Sequence, residues 1–199
     1  MDRERIQTVS VLVYDGFDEL DAIAPYEVFA NAGLDARVVS PHGEPVVEAS
    51  HGLRVETNPD HADPDLVLAP GGGWNDRDSP GAWTEYEDGT IPRYLADAHE
   101  NDATVAGVCT GGMLLAKAGL LHDRPATTHH TATTDLEDAG ARLADARVVD
   151  CGDVLTAAGV TSGLDLAFQL IETIRGQDVA DDVKSEMEYE PRGKTLVAR

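Results

Sequence analysis

Residues 105–116 read Val-Ala-Gly-Val-Cys-Thr-Gly-Gly-Met-Leu-Leu-Ala, and Cys109 at their centre is the residue best placed to do chemistry. The apolar run 103–108 has the β-branched content of a buried strand. Met113, Leu114, Ala116, Leu120 and Leu121 mark the apolar side of a helix that stops near Gly119. Cys109 therefore falls at a strand-to-helix turn, and Gly107-x-Cys109-x-Gly111 is the nucleophile-elbow spacing with sulfur in place of a serine hydroxyl. The glycines leave room for the sharp turn and for a substrate to approach the backbone. A helix beginning just past Cys109 points free N–H groups and its positive dipole end at the sulfur, which predicts a thiolate. A buried, inert cysteine is the alternative, and the glycine spacing favours the nucleophile.

A sulfur nucleophile needs donors for the oxyanion it creates. Backbone N–H groups of Gly71-Gly72-Gly73 and of Thr110 fit that need. The glycine run also reads as a tight turn, but three glycines are costly in chain entropy. It is not a phosphate loop, because no Gly-Lys-Ser/Thr follows. The first loop supplies Asp15, Asp18, Glu19, Asp21 and Glu27. Asp21 lies between Leu20 and Ile23, where a carboxyl pressed against the sheet edge has a raised pKa and trades a proton with thiol or substrate. The other reading of Asp21 is a first-turn carboxylate serving the helix dipole. Asp18 and Glu19 read as solvated surface. His129 and His130 are candidate bases, with His129 either lining the site or structural. His42, His51, His61, His99 and His122 have no supporting pattern, and Cys151 reads as a passive turn residue. No Cys/His cluster has metal spacing, so neither a metal nor a cofactor is expected.

These residues must be positioned by a sheet. Residues 8–14 form a first strand, and 18–32 a helix with Leu20, Ile23, Ala24, Val28 and Phe29 as its apolar stripe, split in two by Pro25 and ended by Gly33. Residues 36–40 form a second strand, 45–47 and 53–55 a short extended excursion, and 66–69 a third core strand. Residues 80–88 read as polar and irregular, and 91–101 as a helix. Residues 146–149 and 154–158 make a strand pair, and 162–175 is a strongly periodic helix through Leu166, Phe168, Leu170, Ile171 and Ile174. The tail, 177–199, holds a short acidic helix and a loosely patterned end. Strands alternating with helices predict a doubly wound α/β fold, a mostly parallel sheet with helices on both faces, in which ligands bind at the carboxyl ends of the strands. The loops carrying Asp21, Gly71–Gly73 and Cys109 all fall at that edge. The pocket above them is shaped by the 74–83 loop and the 21–29 helix.

A chain of 199 residues is most simply one domain, with a core over about 8–175 and a tail over 176–199. Fifteen basic against thirty-seven acidic residues leave a formal charge of −22. Such a field disfavours nucleic acid and anionic membrane surfaces. The basic residues are twelve Arg and three Lys (Lys117, Lys184, Lys194), and dense carboxylates with scarce Lys suggest adaptation to high salt, where repulsion is screened. Two cysteines make no disulfide framework, and neither a signal-like N-terminus nor a long apolar run is present. The expectation is a cytoplasmic protein with a free thiol.

Taken together, Leu20-Asp21-x-x-x-Pro25-Tyr26-Glu27-Val28-Phe29, Ala69-Pro70-Gly71-Gly72, Val108-Cys109-Thr110-Gly111 and Thr127-Thr128-His129 resemble the ThiJ/PfpI superfamily, with the class I glutamine amidotransferase-like (flavodoxin-like) fold. The Cys-Thr-Gly elbow and the late Met187-Glu188-Tyr189-Glu190-Pro191 resemble its isonitrile hydratase and regulator-associated subgroup. The resemblance implies Cys109 as nucleophile, Asp21 as acidic partner, Thr110 as a hydrogen-bonding neighbour, the amides of Gly72 and Thr110 as oxyanion hole, and a homodimer. Thr110 stands where the peptidase branch has His, which argues against peptidase activity. Arg192-Gly193-Lys194 departs from the subgroup's tail. Regulator members carry a further DNA-binding domain, for which a chain ending at Arg199 leaves no room. The implied activity is attack of Cys109 on a small electrophile, with hydration of an isonitrile to an N-substituted formamide first. Conversion of a 2-oxoaldehyde and reversible oxidation of Cys109 in a stress sensor are the alternatives.

Overall fold

The structure is a computed structural model and describes residues 3–198. The elements run β1 (Thr8–Leu12), α1 (Glu19–Asn31), β2 (Asp35–Val39), β3 (Val46–Glu48), β4 (Arg54–Glu56), β5 (Leu66–Ala69), α2 (Ala82–Asp88), α3 (Thr90–Glu100) and β6 (Thr104–Val108). They continue with α4 (Gly111–Lys117), β7 (Pro125–Ala126), α5 (Thr133–Asp138), β8 (Arg142–Leu143), β9 (Val148–Asp150), β10 (Val154–Ala157), α6 (Ser162–Arg175), α7 (Gln177–Glu186) and β11 (Thr195–Val197).

β5 and β6 are buried along their whole length, as continuous apolar runs in the middle of a two-sided sheet must be. The central sheet has the order β11-β9-β10-β6-β5-β1-β2. Its pairs are parallel except β9 with β10. This is a doubly wound, flavodoxin-like α/β fold. The chain runs from β1 out to β2, then returns to place β5 on the other side of β1, so the order reverses between β1 and β5. Ligands in such sheets sit at the carboxyl edge beside that reversal. Phe29 of α1 and Phe168 of α6 are fully buried together with Leu12, Leu66 and Leu68 of the strands. β3 and β4 form an antiparallel hairpin outside the sheet, and β7 and β8 a small parallel pair.

Several expectations are corrected. Pro25 does not split the first helix, because α1 is continuous. Proline removes one N–H bond, the one to the Asp21 carbonyl. Its ring is accommodated where α6 comes close: a Cβ at Gly163 would lie 3.2 Å from Pro25 Cγ. Leu20 is not in the apolar stripe. It is 40% exposed, while Asp21 beside it is fully buried. Residues 82–88 are helical, not irregular. Gly81 N–H donates to Thr84 Oγ1 at 3.0 Å, Ala82 N–H donates to Gly72 O at 2.7 Å, and Ala82 and Glu85 are buried. These tertiary contacts override a polar composition. The tail adds β11 alongside β9, in three residues too short to leave a periodic signature. In the 74–83 loop, Trp74 is buried edge-on against Trp83 and Tyr86, and its Nε1–H donates to Asp135 Oδ2 at 2.6 Å.

Candidate active site

Four loops converge at the carboxyl edge: residues 14–18 after β1, 70–73 after β5, 109–111 after β6, and 158–160 after β10. The second of these strands abuts the first, the third abuts the second, and the fourth abuts the third, so neighbouring pairs in the sheet place the loops side by side.

Cys109 has φ of 56°, the left-handed conformation that an elbow forces on its nucleophile. Backbone bonds hold it there. Its N–H is shared between Ala157 O at 3.1 Å and Ala158 O at 3.0 Å, and its carbonyl accepts the Thr128 hydroxyl at 2.8 Å. The flanking glycine is required for space, since a Cβ on Gly111 would lie 2.1 Å from the Ala69 carbonyl oxygen. At Gly71 a Cβ would lie 2.5 Å from both the N and Oγ1 of Thr110. The elbow and the glycine loop thus touch backbone to backbone.

Asp21 faces the same point from the first turn of α1. Its Oδ2 accepts the Gly71 N–H at 3.0 Å, and its Oδ1 is buried with no hydrogen bond. Burial, with Asp18 adding like charge, pushes Asp21 up to about 8, against the pull of the Gly71 N–H and the Cys109 thiol. The thiol is near enough to act on the carboxyl but not in the geometry of a formed hydrogen bond to Oδ1. Set against the sequence-based expectation of a thiolate, the thiol is raised for the same reason. Burial first and the Asp21 charge second push Cys109 up to about 12, and the N–H groups of Val160 and Thr110 offset only part of this. The two acids are coupled, and burial raises both.

The glycine amides are already engaged. Gly71 N–H serves Asp21, and Gly72 N–H donates to Thr110 Oγ1 at 3.0 Å. The amides that face the sulfur are those of Thr110 and Val160. Val160 has φ of 23°, rare for a β-branched residue, and no motif in the sequence points to its loop, although the topology that places Gly71–Gly73 places it equally. Other residues that the sequence does not single out are Tyr14, whose buried hydroxyl donates to Pro70 O at 2.7 Å, and Asp18. Asp18 caps α1 by accepting Leu20 N–H at 3.1 Å, and its charge reaches Asp21, Cys109 and His129, so it is not simply solvated surface. Glu19 is likewise committed, accepting His51 N–H at 2.8 Å.

Cys109, Asp21, Thr110, Gly71 and Gly72 are therefore brought together, and His129 sits at the margin. A Cβ at Gly159 would lie 2.7 Å from His129 Cδ2, which places the ring beside the Val160 loop. Its Nδ1 is engaged by Thr131, and burial followed by His130 lowers its pKa. Cys151 is remote from this edge, its thiol donating to Pro125 O at 3.4 Å.

The model of the DJ-1/PfpI family matches residues 7–173. Isonitrile hydratase from Pseudomonas putida is 30% identical over 187 residues, which cover 92% of this chain and 78% of that protein. The Parkinson disease protein 7 homolog of Danio rerio is 27% identical over 183 residues, 88% of this chain and 93% of that protein. Among solved structures, a THiJ/PfpI family protein from Pseudomonas syringae superposes with a TM-score of 0.83 at 27% identity, covering 94% of this chain and 76% of that one. Schizosaccharomyces pombe DJ-1 shares the fold, with a TM-score of 0.78 at 21% identity over 92% of this chain and 100% of that one.

Proposed function

The chain belongs to the DJ-1/PfpI family, and on that premise we propose that it is a cysteine-dependent enzyme acting on a small electrophile, hydrating an isonitrile to an N-substituted formamide. The observation that carries this reading is Asp21, a fully buried carboxylic acid raised to about 8 beside the elbow thiol. Such an acid exchanges its proton close to neutrality, so it can relay one from the thiol to the carbon that the sulfur attacks. Similarity to the Pseudomonas putida isonitrile hydratase over most of both chains supports the substrate class.

The chemistry follows from a pair that shares one proton. Cys109 sulfur forms a bond to the isonitrile carbon, and the shared proton passes through Asp21 to that same carbon, leaving a neutral thioimidate and an Asp21 carboxylate. Asp21 then takes a proton from water as the oxygen adds to the carbon, and the second water hydrogen goes to nitrogen. The carbon–sulfur bond breaks, releasing the formamide and restoring a singly protonated pair. The amides of Thr110 and Val160, aimed at the sulfur, stabilise its negative charge before attack and after release. Because the pair must first lose one of two protons, kcat/KM is expected to rise with pH through about 8. Working as a cytoplasmic homodimer in concentrated salt completes the proposal. The charge of −22 supports the salt, and membership of the DJ-1/PfpI family, whose proteins are commonly dimeric, supports the dimer.

The test is product-detecting NMR of the purified protein at high salt, offered an alkyl isocyanide, methylglyoxal or peroxide, with Cys109→Ala in parallel. Formamide formed by the native protein and abolished in the variant is the expected result. Lactate formation instead would move the activity to 2-oxoaldehydes. Turnover that survives Cys109→Ala, or a thiol that only oxidises, would overturn the proposal.

A further inference from the structure

A second group of chemically competent side chains lies away from Cys109, where the loop after β2 meets α2. Glu85 and Asp88 are three residues apart on α2 and so share one face of the helix. His42, two residues beyond Ser40, brings its Nε2 to 2.8 Å from Glu85 Oε2. One ligand atom from each of the three lies within 4.8 Å of the others. An ion held at about 2.0–2.2 Å sets its ligand atoms about 3–4 Å apart, so small side-chain rotations suffice to close the group around one centre.

The surroundings favour a cation. These side chains line a cleft of about 430 Å³ whose wall adds Asp15, Glu44 and Asp78 and, among the described residues, no Lys or Arg. Glu85 is only 9% exposed, so its carboxyl is held in place and partly stripped of water, and burial raises its pKa even with His42 beside it. Asp88 is exposed, and its Oδ2 accepts Thr90 N–H at 3.1 Å, which orients the carboxylate at the end of α2. An imidazole nitrogen with two carboxylates is the donor set of Zn²⁺ or Mn²⁺ and not of Mg²⁺ or Ca²⁺, which prefer oxygen alone. A His42 imidazolium held by Glu85, Glu44 and Asp88 is the metal-free alternative, and it predicts no saturable ion binding.

We propose that His42, Glu85 and Asp88 bind one divalent transition-metal ion, clamping the loop after β2 to α2. The inference is independent of the chemistry assigned to Cys109. It has a structural consequence for that site, because α2 begins where Ala82 N–H donates to Gly72 O at 2.7 Å. An ion at the far end of α2 fixes the helix whose first turn holds the glycine loop.

The experiment uses the full chain in a Cys109→Ala background, which removes the competing thiol of the elbow. The protein is stripped with EDTA and titrated with Zn²⁺ by calorimetry and with Mn²⁺ by electron paramagnetic resonance. Concentrated KCl suppresses diffuse binding to the acidic surface. One ion per chain is expected, weakened about tenfold or more by Asp88→Asn and by His42→Ala. Asp88 is exposed at the helix end, so Asp88→Asn tests the site without endangering the fold, which circular dichroism checks. Absence of saturable binding, or binding that both variants leave unchanged, would overturn the proposal.

Discussion

Two aspartates, Asp21 and Asp165, are buried on helices that pack against each other, and they are satisfied in opposite ways. Asp165 on α6 has both oxygens committed. Oδ2 pairs with Arg147 Nε, and Oδ1 accepts Tyr189 OH at 3.1 Å and Arg192 N–H at 2.6 Å. Asp21 on α1 has one bond, from Gly71 N–H, and a bare Oδ1 beside a thiol. A buried carboxylate whose oxygens are all met by donors clasps the chain; here it fastens the segment after α7. One left half-satisfied is pushed toward its neutral form and becomes a proton carrier. Burial alone does not mark function, whereas the manner of satisfaction does.

The comparison is tested hardest at Asp21. Asp21→Asn keeps an acceptor for Gly71 N–H but removes the exchangeable proton. Turnover is expected to fall about 10²–10⁴-fold, the range of a lost general acid. Stability should move the other way. The folded protein holds a proton on Asp21 up to about 8, whereas the unfolded chain loses it near 3.8, so the native stability falls as pH rises between those values. The variant lacks that slope. Its advantage in melting temperature should be absent at pH 3 to 4 and grow to a maximum above about pH 8. The advantage amounts at most to about 6 kcal/mol, since each pH step between the two values contributes about 1.4 kcal/mol. An advantage independent of pH would remove Asp21 from the role of buried acid.

Asp165→Ala is the converse. It leaves the Arg147 guanidinium, the Tyr189 hydroxyl and the Arg192 N–H without their acceptor, and stranding such part-buried donors costs about 1–3 kcal/mol. Denaturant unfolding should show that loss, while turnover per folded molecule at Cys109 stays within about twofold, as for a change outside the reacting groups. A loss of turnover without loss of stability would erase the distinction between the two aspartates.

Much of this was legible in the residues. The β1, β5 and β6 strands, the helix 162–175 and the elbow followed from apolar runs and glycine spacing, because buried parallel strands leave continuous hydrophobic stretches. The meeting of Cys109, Asp21 and Gly71 followed from topology. What was not legible depends on contacts distant in sequence. The helix at 82–88 is set by Gly72 and by burial of Glu85, and Leu20 points outward because Asp21 takes the buried position. The thiol's raised pKa depends on a desolvation that no local pattern encodes. His42 looked idle because its partners lie on α2, beyond the reach of a spacing rule.

Thr110→Val narrows the comparison to a single hydroxyl. The isosteric change keeps the Thr110 N–H that faces Cys109 but leaves Gly72 N–H without its acceptor at the half-buried junction of elbow and glycine loop. Loss of such a bond costs about 1 kcal/mol, so melting should drop by about 2–4 °C. Turnover should fall far less than in Asp21→Asn, and Thr110→Ser should restore both. Equal loss of turnover in Thr110→Val and Asp21→Asn would mean that the hydroxyl, and not the carboxyl, handles the proton.

The smallest effect is expected at the third carboxylate of the comparison, Glu19, which shares the first turn of α1 with Asp21 but stays near solvent. Burial works against its ionisation. Hydrogen bonds from the His51 side chain and backbone and from Ser50 outweigh this and bring Glu19 down to about 2. His51 in turn is raised by its hydrogen bond to Glu19 and by that charge. The signs define a window. A lowered Glu19 stabilises above its unfolded value of 4.5 and loses that contribution as pH falls toward 2. A raised His51 stabilises below its unfolded value of 6.5 and loses that contribution as pH rises through its folded value. The pair therefore ties α1 to the β3–β4 hairpin most strongly between about pH 4.5 and 6.5. Glu19→Gln should lower the melting temperature slightly at pH 5.5 and by less at pH 9, where only the hydrogen bonds from Ser50 and the His51 N–H remain. Concentrated KCl should shrink the difference between the two, since an exposed pair is screened. A salt-independent loss as large as that of Asp165→Ala would show that Glu19 is held like the clasp residue, and that exposure does not separate the carboxylates of α1.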